Sequence, residues 1–273
     1  MWKLVKMDFY RLFSSKTVKI GALMAVLLSG VYLLFSFGVV ELVKFSLKDD
    51  PELATDLGTL LSQAGWVAGV DYADIVLSGT GFFALFIGCM ISASFIGSEQ
   101  SCGYTKNFAG QIPDKGYMAI SKFIVTSCTQ VMILVIYTGV VAAFAKLIFG
   151  QYITGYAIGG LFAALGLRVL LHLAMNAIII FLCTLTRSHS IAMIAGCIFG
   201  LGVNKFAYMA ASMLLSALKI KLNLLEYMPD GVNSMLSVNA VGDIYVKAII
   251  VSIAFTAVFM VGNYLIVRNR DVR

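Results

Sequence analysis

The sequence predicts an all-α integral membrane protein with six transmembrane helices, and three observations carry that prediction. Of its 273 residues, 60% are hydrophobic and only 12% charged, with a mean hydropathy of +0.93. Soluble domains carry about 25% charged residues, so an aqueous fold has too little polar surface to cover this chain. Apolar runs long enough to cross a hydrocarbon core of about 30 Å occur six times, at 20–40, 75–97, 123–145, 157–186, 191–218 and 248–267. The runs are continuous and do not alternate every second residue, which selects helices over a barrel. Finally, Lys and Arg segregate. Lys3, Lys6, Arg11, Lys16, Lys19, Lys106, Lys115, Lys122, Arg187, Arg268, Arg270 and Arg273 fall on one side, opposed there only by Asp8, Glu99, Asp114 and Asp271. That side is expected to be cytoplasmic, with both termini inside and residues 1–273 forming one transmembrane domain. The pI near 9.0 then reports topology, and no soluble basic domain is left to bind nucleic acid.

Taken in order, residues 1–17 read as an interfacial amphipathic helix. Trp2, Val5, Phe9, Leu12 and Phe13 recur at helical intervals, with Lys3, Lys6, Tyr10 and Ser14 on another face. The other reading is a basic flank of the first span. The first apolar run is a full span, longer than the core of a cleaved signal. The segment that follows, 41–74, holds seven acidic residues against Lys44 and Lys48, and Pro51 after Asp49 and Asp50 signals a helix over 51–64. The second span is rich in small residues, Ser78, Gly79, Gly81, Gly88, Ser92, Ala93, Ser94 and Gly97, and is expected to pack closely against other helices or a second subunit.

Glu99 stands at the end of that span, where a carboxylate needs a Lys or Arg partner. It opens the longest polar interval on the basic side, 98–122. This interval reads as a short helix over 100–109, then a turn at Gly110 and Pro113, with Lys106, Lys115, Lys122, Tyr104, Phe108 and Ile112 on its surface. Such a loop is a docking surface or an element resting on headgroups. The five cysteines lie in spans or in this loop and imply neither a disulfide framework nor a metal site.

Arg168, His172 and Asn176 sit at i, i+4 and i+8 in the fourth run, one polar stripe at mid-membrane depth, and Asn204 and Lys205 lie at comparable depth in the fifth. They line a path for an anionic group, or they bond backbone carbonyls and reach Glu226, Asp230 or Asp243. Residues 219–247 are too polar to span and too apolar to float, which fits outer re-entrant half-helices around Met228, Pro229, Asp230 and Gly231.

The chain lacks GxxxxGK[ST], HExxH and GxSxG, a voltage-sensing arginine ladder and a TVGYG filter, so nucleotide hydrolysis, protease chemistry and cation channels are poor readings. With Glu99, Gly103, Lys106, Pro113, Lys115 and Lys122 in order between the second and third spans, and Tyr227, Met228 and Pro229 in the outer segment, the sequence resembles the permease subunit of ABC-2 type transporters, the type V exporter-like group. The resemblance spans the whole chain. Tyr104 replaces a common threonine and Lys115 a common arginine. It implies a bacterial, multi-pass cell-membrane protein acting as a homodimer or beside a similar permease. It also implies two copies of a separate ATPase that bind ATP and Mg, with no cofactor in this chain. Glu99, Gly103, Tyr104, Lys106, Phe108, Ile112, Pro113 and Lys115 would form the ATPase-coupling element. The implied cargo is an amphipathic or antimicrobial peptide, or a drug or lipid-like molecule. A secondary carrier, or a non-transporting immunity or assembly protein, is the alternative, although the two halves show no internal repeat.

Overall fold

The computed structural model describes residues 1–49, 72–102, 114–150, 158–218, 223–238 and 242–269, and every regular element among them is helical. The helices are α1 (Trp2–Ser14), α2 (Lys16–Asp49), α3 (Tyr72–Gly79), a π-helical turn (Thr80–Ala84), α4 (Leu85–Ser101), α5 (Gly116–Phe149), α6 (Ile158–Thr186), α7 (His189–Gly200), α8 (Asn204–Ala217), a 3₁₀ turn (Leu224–Tyr227), α9 (Pro229–Met235) and α10 (Gly242–Asn269). Five helical stretches are long and apolar enough to cross a membrane, and α7 with α8 makes a sixth if the bent pair is one span. The helix expected over 51–64 lies outside the described residues.

A single serine separates α1 from α2. Ser15 is extended, its hydroxyl donates to the Leu12 carbonyl at 2.5 Å, and it accepts from the Val18 N–H at 3.4 Å, so it closes one helix and opens the next. The expected amphipathic helix is present. Val5, Asp8 and Leu12 are buried against the bundle, whereas Trp2, placed with the apolar face by spacing alone, is 77% exposed beside Lys3 and Lys6. Polar contacts from Asp8 and Arg11, described below, select the face that turns inward.

The run expected as one continuous span over 191–218 is broken, with α7 and α8 meeting at 67°. Gly202, at φ +66°, takes the left-handed backbone of that break, a conformation a side chain would oppose. Two residues, Arg187 and Ser188, connect α6 to α7, and the Ser188 hydroxyl caps α7 by accepting from the Ile191 N–H at 3.5 Å.

Helix α6 is the axis of the bundle, packing on α10, α4, α5, α7 and α9, so its stretch from Leu171 to Ile180 is almost wholly buried. Small residues on both helices allow α4 and α7 to pack closely, and a Cβ at Gly97 of α4 would fall 3.1 Å from the His189 Cα. Gly196 and Gly200 of α7 lie against α4, where a Cβ would meet the Ala93 Cβ at 3.0 Å and the Phe86 Cα at 2.9 Å. Gly81 and Gly88 instead make room for large polar side chains arriving from α6 and α5.

Candidate functional site

The first cluster forms the root of the 98–122 loop, at the end of the bundle that carries α1. Glu99 is buried at the end of α4 and pairs with two cations, Arg11 of α1 and Lys122 of α5, whose side chains are 28% and 15% exposed. The Arg11 guanidinium also lies 4.5 Å from the centre of the Phe95 ring. One turn back on α1, the buried Asp8 accepts a hydrogen bond from Ser121 of α5 at 2.6 Å. Beside Glu99, Gln100 donates to the Cys183 carbonyl of α6 at 2.8 Å. At the other end of the loop, Asp114 accepts from the Tyr264 hydroxyl of α10 at 2.5 Å and from the Gly116 N–H at 2.8 Å, and these bonds hold its carboxyl below the ordinary carboxylate range. Both roots of the loop are thereby tied to α1, α5, α6 and α10.

Several sequence expectations change here. Lys122, expected on the exposed docking surface, is half-buried because Glu99 engages it. The helix expected to begin at Gln100 does not begin there, since Gln100 and Ser101 complete α4 and Cys102 turns away. Gly103, Tyr104, Lys106, Phe108, Ile112 and Pro113 lie outside the described residues, and Lys115 caps the start of α5. Glu99 has the cationic partners its position called for.

The second cluster is a seam of polar groups through the bundle. Arg168 and His172 are each 2% exposed and Asn176 is fully buried. Asn176 donates to the Thr126 and Ser127 hydroxyls of α5, both at 2.9 Å. Gln130 lies one turn along α5 from Thr126, and His172 one turn along α6 from Asn176, so in this antiparallel pair they stand at one level. Gln130 packs on Gly88, where a Cβ would fall 2.6 Å from its Cγ. Neither polar atom of Gln130 nor either ring nitrogen of His172 has a hydrogen-bond partner among the described residues.

A turn further, Arg168 divides its guanidinium between two elements. Nη1 donates to the Leu77 carbonyl and the Thr80 hydroxyl at the π turn, and Nη2 reaches the Asn233 and Leu236 carbonyls of the α9 segment at 3.3 and 3.5 Å. Asn233 returns a bond from its amide to the Gly81 carbonyl at 2.7 Å. At the break before α8, Asn204 donates to Asp230 of α9 at 2.7 Å and to the Tyr208 hydroxyl at 2.8 Å, and the half-buried Lys205 lies close enough for its charge to act on the Asp230 carboxyl. Glu226 pairs instead with Lys247 at 2.7 Å.

Of the two readings open for these residues, bonding to backbone carbonyls describes Arg168 and bonding to Asp230 describes Asn204, whereas Asn176 bonds hydroxyls and His172 no described residue. Arg168, His172 and Asn176 are sealed from solvent. Spacing alone did not find Asp8, Ser121, Gln130, Asn233 or the Tyr264–Asp114 bond, because their partners lie on distant helices. Asp8 had a legible signal, since it falls between Val5 and Leu12 on one helical face. No group of three or more His, Cys, Asp or Glu suited to a metal occurs among the described residues, and all five cysteines are free thiols. No known protein-family profile and no curated protein matches the chain.

Proposed function

We propose that this chain is the membrane permease of an ATP-driven exporter, worked by a separate ATPase that docks on the 98–122 loop. The observation that carries the reading is the anchoring of that loop at both roots. A push on it reaches α1 and α5 through Glu99, α6 through Gln100, and α10 through Asp114. A tether between two spans needs no such bracing, whereas a part that transmits force to a bundle does, because coupling requires different contacts in two conformations. The remaining parts fit the same scheme. Trp2, Lys3 and Lys6 on the exposed face of α1 suit anionic headgroups on the cytoplasmic side. Helix α9 closes the outer side, and ATP and Mg belong to the ATPase. An amphipathic or antimicrobial peptide is the favoured cargo, with a drug or lipid-like molecule behind it, and two permease chains complete the assembly.

The test is co-purification with the ATPase encoded beside this chain, followed by hydrolysis assays in lipid with and without cationic amphipathic peptides. A stable complex with peptide-stimulated hydrolysis is expected. Gly103→Pro should keep the complex and lose the stimulation. Failure to hold any ATPase in several mild detergents would overturn the reading.

A further inference from the structure

Helix α9 is only seven residues long, too short to persist by its own backbone bonding, yet Pro229 through Asn233 are buried. Polar contacts hold it at each end. Its first turn is fixed by Asp230 to Asn204, at the break between α7 and α8. Its last carbonyls, which a helix end leaves without internal donors, are taken by Arg168, and the N–H of Val238 just beyond donates to Asp74 of α3 at 3.3 Å. The receiving surface is equally specific. A π-helical turn interrupts the α-helical bonding of the second span, and the Leu77 and Gly81 carbonyls beside it accept from Arg168 and Asn233. Gly81 lets the guanidinium approach, since a Cβ there would sit 3.1 Å from Nη2.

We propose that α9 is a movable lid and that Arg168, with Asn233, is the latch holding it shut on the π turn. The fork of the guanidinium is the reason. Nη1 stays with the π turn, so Arg168 remains bonded and positioned when the lid lifts. Only the two Nη2 bonds to α9 are exchanged, and water entering from the open side replaces them. A buried charge with all its acceptors on fixed helices would only brace the bundle. This one straddles a fixed part and a part seven residues long, so it discriminates two positions of α9 at small cost. The unpartnered polar atoms of His172 and Gln130, deeper in the seam, are the next groups that water or cargo meets once the lid is off. The lid's role as an exit gate rests on the exporter reading, but its latch does not.

Thiol accessibility at Val232, 2% exposed in α9, tests the proposal. The full chain carrying Val232→Cys is treated in native membranes with a maleimide, and labelling is resolved peptide by peptide, with buried Cys89 and Cys183 as internal controls. Slow labelling is expected with Arg168 present. Arg168→Gln should raise the rate at position 232 by about tenfold or more, a decade in the closed-to-open ratio, while Cys89 and Cys183 stay unreactive. Arg168→Lys, which keeps the charge and loses the fork, should behave like Arg168→Gln. Thr80→Val trims a single acceptor on the fixed side, and should leave the rate at 232 near that of the parent. A rate unchanged by Arg168→Gln overturns the latch, as does an increase shared by Cys89 and Cys183, which would make Arg168 a brace of the whole bundle. The measurement needs neither ATP nor a partner, so failure of the latch and failure to bind an ATPase are seen separately.

Discussion

Removing the Glu99 carboxylate should cost more stability than removing either of its cations, because one anion serves two. Glu99→Gln leaves Arg11 and Lys122 facing each other at a site where the carboxylate was buried. Breaking a buried pair from one side costs roughly 3–5 kcal/mol, and since both cations here keep part of their surface in solvent, about 3 kcal/mol is expected. Arg11→Gln leaves Glu99 still paired with Lys122, and about 1 kcal/mol is expected for the more exposed bond, together with the lost stacking on Phe95. Lys122→Gln, at the more buried of the two, should fall between. The assay is reversible unfolding by SDS in mixed micelles, followed by far-ultraviolet circular dichroism, with a double-mutant cycle across Arg11 and Glu99. A coupling of about 1 kcal/mol is expected from that cycle. Should Glu99→Gln cost no more than Arg11→Gln, Glu99 is not the common partner and the bracing of the loop root is misassigned.

Two further outcomes follow from the same geometry. Gly231→Ala drives a methyl onto the backbone carbonyl of Leu225, which cannot swing aside as a side chain would, so it should cost about 3 kcal/mol and open the α9 segment to limited proteolysis. A parental digestion pattern would refute the tight seating of α9 on the 3₁₀ turn. Tyr264→Phe removes the strongest bond to Asp114, whose carboxyl is held low. A depressed carboxylate stabilises the fold above its unfolded pKa of about 3.9 and loses that contribution as pH falls through the folded value. The unfolding midpoints of parent and Tyr264→Phe should therefore differ at pH 6, with a smaller gap at a pH well below about 3.9. An equal gap at both would exclude Asp114 as the partner that matters.

The broad architecture was legible because hydrocarbon solvent imposes one requirement on every span, and continuous apolar runs report it directly. The α6 stripe was legible for a similar reason, since i, i+4 spacing fixes a common face whatever that face touches. Which groups Arg168 touches was not, because apart from the Thr80 hydroxyl its acceptors are backbone carbonyls, of Leu77, Asn233 and Leu236, and carbonyls carry no residue-type signal. The break at Gly202 escaped notice because the run holds three glycines, at 196, 200 and 202, and spacing does not tell which of them bends the helix. In α1, periodicity located the helix and its inward Val5 and Leu12. It gave no role to the buried Asp8, because the Ser121 hydroxyl that holds it lies on another helix.

The bend between α7 and α8, if the pair is one span, also makes the perimeter of the protein uneven in height. At 1.5 Å per residue, the 12 residues of α7 rise about 18 Å, and the 14 of α8, turned through 67°, add only about 8 Å along the same axis. Measured on the α7 axis the pair reaches about 26 Å, less than a hydrocarbon core of about 30 Å, while the 34 residues of α5 extend for about 51 Å. Crossing as one span, the pair would match the core closely only through lipid thinning or a change of its own tilt, whereas α5 is long enough to tilt or to project beyond it. Any motion that straightens or further folds the α7–α8 pair changes this hydrophobic mismatch, so acyl-chain length becomes a variable that biases the protein's conformations from outside it.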